Sequence, residues 1–127
     1  MKTMTMTIPA EQKWTLALRM AVSGVGAIYD LPVDVLSDLR TAVDESCELL
    51  LHQTYCVQSL TLSVEEKPDG VYLSIAAQCC DQVQKEPRAD AEIAKMIIET
   101  LVRQVDMKTE DDSVQEVRMI LPASVKK

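Results

Sequence analysis

Residues 31–53, LPVDVLSDLRTAVDESCELLLHQ, decide how the rest of the chain folds around them. Val35, Leu39, Val43, Cys47 and Leu50 recur at steps of three and four, while Asp34, Asp38, Asp44, Glu45 and Glu48 take other faces. That period belongs to an amphipathic α-helix, so the stretch reads as one long helix with a single apolar stripe. Pro32 suits a first-turn position, where a missing N–H costs nothing, and Asp34 and Asp38 lie near the positive end of the helix dipole. Glu45 sits mid-helix among apolar neighbours and is the first candidate for chemistry.

Upstream of the helix, Met4, Met6 and Ile8 alternate with Thr3, Thr5 and Thr7, the period of a half-buried strand over residues 2–8. Trp14, Ala17, Leu18, Ala21 and Val25 then follow helical spacing and predict a first helix over 10–29, weakened at its end by Gly24 and Gly26. Downstream, residues 56–66 and 71–75 both alternate and flank Pro68-Asp69-Gly70, which predicts an antiparallel hairpin. Residues 77–89 keep no steady period and read as a surface loop. Ala91, Ala94, Ile97, Ile98, Leu101, Val102 and Val105 mark a third helix, and residues 105–109 and 114–121 a last pair of strands around an acidic turn. The tail, 124–127, is expected to fray. The order β-α-α-β-β-α-β-β predicts an α+β fold: a two-layer sandwich with one mostly antiparallel sheet and its helices on one face.

With 127 residues, 47% of them hydrophobic, the chain is sized for one domain with a real core, spanning 1–127. Its formal net charge is −7, and 13 basic residues are scattered among 20 acidic ones without a cluster, which argues against nucleic acid as a direct partner. No apolar run approaches the ~20 residues that a membrane-crossing helix needs, and MKTMTMTIPA interrupts its apolar residues with threonines where a signal peptide would not. The expectation is a soluble, cytoplasmic protein. Cys47, Cys56, Cys79 and Cys80 match no zinc spacing and read as free thiols, Cys79 and Cys80 as a vicinal pair.

Three segments, LSDLRTAVDESCELLLHQTY, SLTLSVEEKPDGVYLSIA and EIAKMIIETLVRQVDMKTEDDSVQEVRMIL, together resemble the Bergerat ATPase fold of the GHKL group. Within that group the chain is similar to the small anti-sigma-factor serine kinases of bacterial sporulation and stress regulation. Ala42, Val43, Glu45, His52 and Tyr55 echo that family's first helix motif. The resemblance implies a glutamate acting as general base at Glu45, with an asparagine four residues later to ligate magnesium; that place holds Leu49. It implies an Asp-x-Gly-x-Gly to hold the adenine, where this chain has Ala77, Cys79 and Asp81. It implies a Gly-x-Gly before the phosphates, where this chain has Glu92 and Ala94.

A leucine side chain ligates no metal, an alanine side chain accepts no hydrogen bond, and a carboxylate at Glu92 opposes a triphosphate while fitting the usual preference for acids in a first helical turn. Hydrogen bonds to charged groups contribute on the order of 1.5 to 3 kcal/mol each, so losing three or four erases a micromolar affinity of about 8 kcal/mol. The expectation is a degenerate domain that keeps the architecture, has no cofactor, and regulates by binding a protein such as a sigma factor, an anti-anti-sigma factor or a second copy in a homodimer. The alternative is an active serine-protein kinase with ATP, magnesium and Glu45 as base. His52, the one histidine in the sequence, reads as a residue packed at a helix end.

Overall fold

The computed structural model describes residues 2–52, 55–83, 91–102, 104–110 and 113–121, and of 55–56, 79–83, 91, 110 and 113 the backbone alone. Strand β1 is Thr3–Pro9; helices α1 and α2 are Thr15–Ile28 and Val33–Leu51; strands β2 and β3 are Tyr55–Lys67 and Gly70–Val83. Helix α3, Ala91–Leu101, precedes strands β4, Gln104–Glu110, and β5, Ser113–Leu121. All pairings are antiparallel, in the sheet order β1-β2-β3-β5-β4. The α+β sandwich expected from the sequence is the fold observed.

Register explains why one face of the sheet is core. Met6, Leu62, Ile75, Val117 and Met107 lie side by side across all five strands, as do Met4, Val64, Leu73, Met119 and Val105. The β2, β3 and β5 members of each row are buried, all at 0% exposure except Val64 at 6%. Against these rows pack Leu18, Val22 and Val25 of α1, Leu39, Val43, Cys47 and Leu50 of α2, and Ile98 of α3. The other face carries polar rows such as Thr5, Ser63, Ser74, Arg118 and Asp106. Strict alternation therefore sorts the sequence into a dry face and a wet one.

The helix ends have identifiable causes. After α1, Asp30 takes φ 52° and the chain closes with Leu31 N–H donating to Gly26 C=O (2.9 Å) and Asp30 N–H to Ala27 C=O (3.3 Å). This double closure is a Schellman motif built on an aspartate where glycine is usual. Pro32 then stands as an extended residue immediately before α2, with Leu36 N–H donating to its carbonyl (2.9 Å). Gly26 lets the two helices touch, because a Cβ there would overlap Leu36 Cδ1.

Three boundaries differ from the sequence reading. The first helix begins at Thr15, because Gln12–Trp14 forms a single 3-10 turn and Thr15 Oγ1 donates back to Gln12 C=O (2.7 Å). The expected irregular loop at 77–89 is strand as far as Val83, since long β2 continues to pair with it through Ser59–Gln78, Val57–Cys79 and Tyr55–Val83. Residues 84–90, the remainder of that expected loop, lie outside the described residues, as does the tail. The third helix stops at Leu101 instead of running through Val105, which starts to alternate with Met107 on β4 and so turns the same apolar residues to strand use.

Candidate functional site

Glu45 and Leu49 lie one turn apart on α2, so both occupy the same side of that helix. Glu45 is half-buried, and its side chain makes no hydrogen bond or ion pair among the described residues. Leu49 is 1% exposed and belongs to the main core. Ala77 lies on β3 opposite Leu60 and packs half-buried on that core. Ala94 is buried at 8% exposure on the inner side of α3, and Glu92 stands exposed in the first turn of the same helix. Cys79 and Asp81 fall on the backbone of β3; the thiol pairing of Cys79 with Cys80 lies outside the described side chains.

Leu49 and Ala94 thus belong to the hydrophobic core and Ala77 packs against it, while Glu92 is exposed. Helices α2 and α3 pack directly on each other. Clefts lined by described residues lie elsewhere, for example beside Tyr29 and Glu66 and along β4 and β5.

The titrating groups around α2 serve packing. Burial pushes the Cys47 thiol up to about 12, with Asp44 and Glu48 adding to the effect, so it stays protonated and poorly nucleophilic at neutral pH. Desolvation also raises Asp44, against the lowering influence of Arg19 and Arg40. Arg19 Nε lies 3.3 Å from Asp44 Oδ1, close enough for an ion pair but not aligned for a hydrogen bond. His52 follows α2 directly, with its Nε2 3.3 Å from Glu48 Oε2, a packing position like the one its place in the sequence implies. Ser46, fully buried beside Cys47, donates to Ala42 C=O (2.7 Å) and is satisfied.

A second feature escaped the sequence reading. Tyr29, at the end of α1, donates its hydroxyl to Glu66 Oε1 on β2 at 2.5 Å. Burial first, then this bond and the carboxylate charge, push the Tyr29 phenol up to about 12. The pair borders a cleft of about 150 Å³ lined by Met4, Val25, Ile28 and Val64 among others. The sequence held one signal for it: Glu66 interrupts the apolar alternation Leu60, Leu62, Val64, and a carboxylate on a dry face needs a partner.

No family model matches the chain. Anti-sigma-F factor RsbW of Mycobacterium tuberculosis, in strains CDC 1551 and H37Rv, is 37% identical over 62 residues, 49% of this chain and 37% of that protein. The chain therefore aligns with well under half the length of these relatives. Among solved structures, the RsbU and RsbW domains of Rv1364c from M. tuberculosis match all of this chain and 35% of theirs, with TM-score 0.69 and 15% identity. That likeness shows the fold alone, and the sequence match makes the chain similar, over about half its length, to an anti-sigma factor.

Proposed function

We propose that the chain is an anti-sigma-factor-like regulator that works by binding a protein, a sigma factor or an anti-anti-sigma factor, and that it does so without ATP, magnesium or phosphoryl transfer. The observation that carries this reading is Leu49. It stands where a magnesium-ligating asparagine would be and is closed into the core at 1% exposure. Ala94 is buried in the same core, Ala77 packs against it, and neither side chain offers a polar group, so the residues present do not fit a nucleotide. Similarity to RsbW supports the regulatory half of the proposal.

Thermal unfolding with and without ATP and magnesium tests the first half. Nucleotide at 100 times its dissociation constant raises stability by about 2.7 kcal/mol, and the expected result is no change in Tm. A clear upward shift overturns it. Titration against purified sigma and anti-anti-sigma factors of the source genome tests the second half: a complex with one of them is expected, and failure to bind any overturns the assignment of partner. The kinase reading rests on Glu45, which is half-buried on α2; it requires phosphoryl transfer that Glu45→Ala abolishes.

A further inference from the structure

We propose that Cys56 of β2 and Cys80 of β3 form a modification site, a dithiol that a hydroperoxide oxidises to a reversible disulfide within one chain, at the end of the β2–β3 ladder farthest from its turn.

Backbone register brings the two cysteines together. From Lys67–Gly70 at the turn to Ser59–Gln78 the strands pair without a slip; beyond that the register shifts twice, so that Val57 faces Cys79 and Tyr55 faces Val83. Between these last two pairs β2 contributes Cys56 alone, while β3 contributes Cys80, Asp81 and Gln82. Cys56 and Cys80 each stand one residue beyond the Val57–Cys79 pair on their own strands, which sets them at facing positions where the ladder opens. Facing residues of an antiparallel pair have Cα atoms about 4.5 to 5.5 Å apart, inside the range of about 4.4 to 6.8 Å that a disulfide accepts. The two further residues of β3 make a bulge, so a bond closing there interrupts no regular ladder.

Alternation separates this pair from the other cysteines. Val57 and Ala77 both pack on the core, and strand residues two apart share a face while neighbours take opposite ones. Cys79 is therefore in phase with Ala77, and Cys56 and Cys80 are both in the opposite phase. Cys79 and Cys80, contiguous in the sequence, fall on different faces of β3. Cys47 lies on α2, 1% exposed in the core, and its thiol is pushed up to about 12, which keeps it out of thiolate chemistry. The sequence alone singles out the contiguous pair, and the register exchanges Cys79 for Cys56.

The chemistry balances with the peroxide as the one co-reactant. The thiolate of one cysteine attacks a peroxide oxygen and breaks the O–O bond; its sulfur becomes a sulfenic acid, and with hydrogen peroxide the leaving hydroxide takes up the thiol proton as water. The second thiol then attacks the sulfenic sulfur, the S–S bond forms, and the sulfenic hydroxyl departs with the second thiol proton as another water. Two sulfurs have given up two electrons in all, and the two peroxide oxygens have accepted them. A free thiol compound reverses the step by thiol–disulfide exchange. Closing the bond ties β2 to β3 beyond the Val57–Cys79 pair, where the slipped register leaves only Tyr55–Val83.

Treatment of the full chain, in dilute solution, with hydrogen peroxide is expected to leave two of the four cysteines titratable after unfolding, and dithiothreitol is expected to restore all four. Cleavage after glutamates puts Cys47, Cys56 and the Cys79–Cys80 pair on separate peptides, 46–48, 49–65 and 67–86. Mass spectrometry is expected to find 49–65 joined to 67–86, from protein that runs as a single chain on a non-reducing denaturing gel. Fragmentation between Cys79 and Cys80 is expected to place the bond on Cys80, which needs no substitution. Cys56→Ser and Cys80→Ser are each expected to abolish the joined peptide and Cys79→Ser to keep it, with thermal unfolding of the reduced variants showing that each is folded. Wild-type protein that yields no joined peptide overturns the proposal. So does a bond to Cys79, a bond within 67–86, or a joined peptide found only between two chains. These measurements involve no nucleotide and no other protein, so their outcome is separate from the partner-binding reading.

Discussion

Leu49 is where the chemistry of this domain is decided residue by residue. An asparagine there would bury an amide in the hydrophobic core, where Leu49 is 1% exposed. Burying an amide without partners and losing the leucine's packing act in the same direction. Leu49→Asn is therefore expected to lower unfolding stability by roughly 2 to 5 kcal/mol in a urea titration, and to add no nucleotide-dependent shift in Tm. A variant as stable as the parent would mean that the position is an open site. Cys47, four residues before Leu51 and 1% exposed, makes a companion case. With its thiol held at about 12, it is expected to resist alkylation at neutral pH in the folded protein and to react on unfolding, read by mass spectrometry of the peptide that contains it.

The turn from β2 to β3 shows how much a single backbone angle decides at the scale of elements. Gly70 closes the Pro68-Asp69 turn at φ 154°, a conformation that side-chain-bearing residues rarely adopt. Gly70→Ala is expected to cost about 1 to 3 kcal/mol in the same titration, although an added Cβ meets Ile120 Cγ2 at an ordinary 3.8 Å. Tyr29 and Glu66 tie α1 to β2, and their bond has a definite pH signature. A phenol raised from 10.0 to about 12 loses its proton first in the unfolded chain. Its contribution is complete below pH 10 and is lost as the pH climbs toward 12. Tyr29→Phe is expected to lower stability at neutral pH by about 1 kcal/mol and to flatten the alkaline part of the stability curve. These elements also mark where the sequence was legible. Alternation in Met4-Met6-Ile8 and Leu60-Leu62-Val64 showed the strands, and the stripe through Leu39, Val43, Cys47 and Leu50 showed α2, because each needs one dry face. The extension of β3 through Cys79 was hidden: AAQCCD has no alternation, and what holds it extended is the pairing offered by β2, a long-range fact. Of the candidate site, the apolar residues at Leu49, Ala77 and Ala94 are plain in the sequence; that Leu49 and Ala94 are buried in the core and Ala77 packs against it required the fold.

At the scale of the whole molecule, charge opposes compactness. The chain carries a formal net charge of −7, so its charges repel one another more strongly when folded than when expanded. That repulsion is screened, with a Debye length that falls from about 30 Å at 0.01 M to about 8 Å at 0.15 M ionic strength. The core that opposes it, Leu18 and Val22 of α1 against Leu62, Leu73 and Ile75 of the sheet among others, is apolar and hardly feels salt. Exposed ion pairs such as Lys95–Glu99 are weakened by the same salt, but each contributes only about 0 to 1 kcal/mol. Raising salt across that interval is therefore expected to raise the midpoint of urea unfolding. A chain whose stability rested on its surface ion pairs would lose stability instead, so the sign of the salt dependence separates the two.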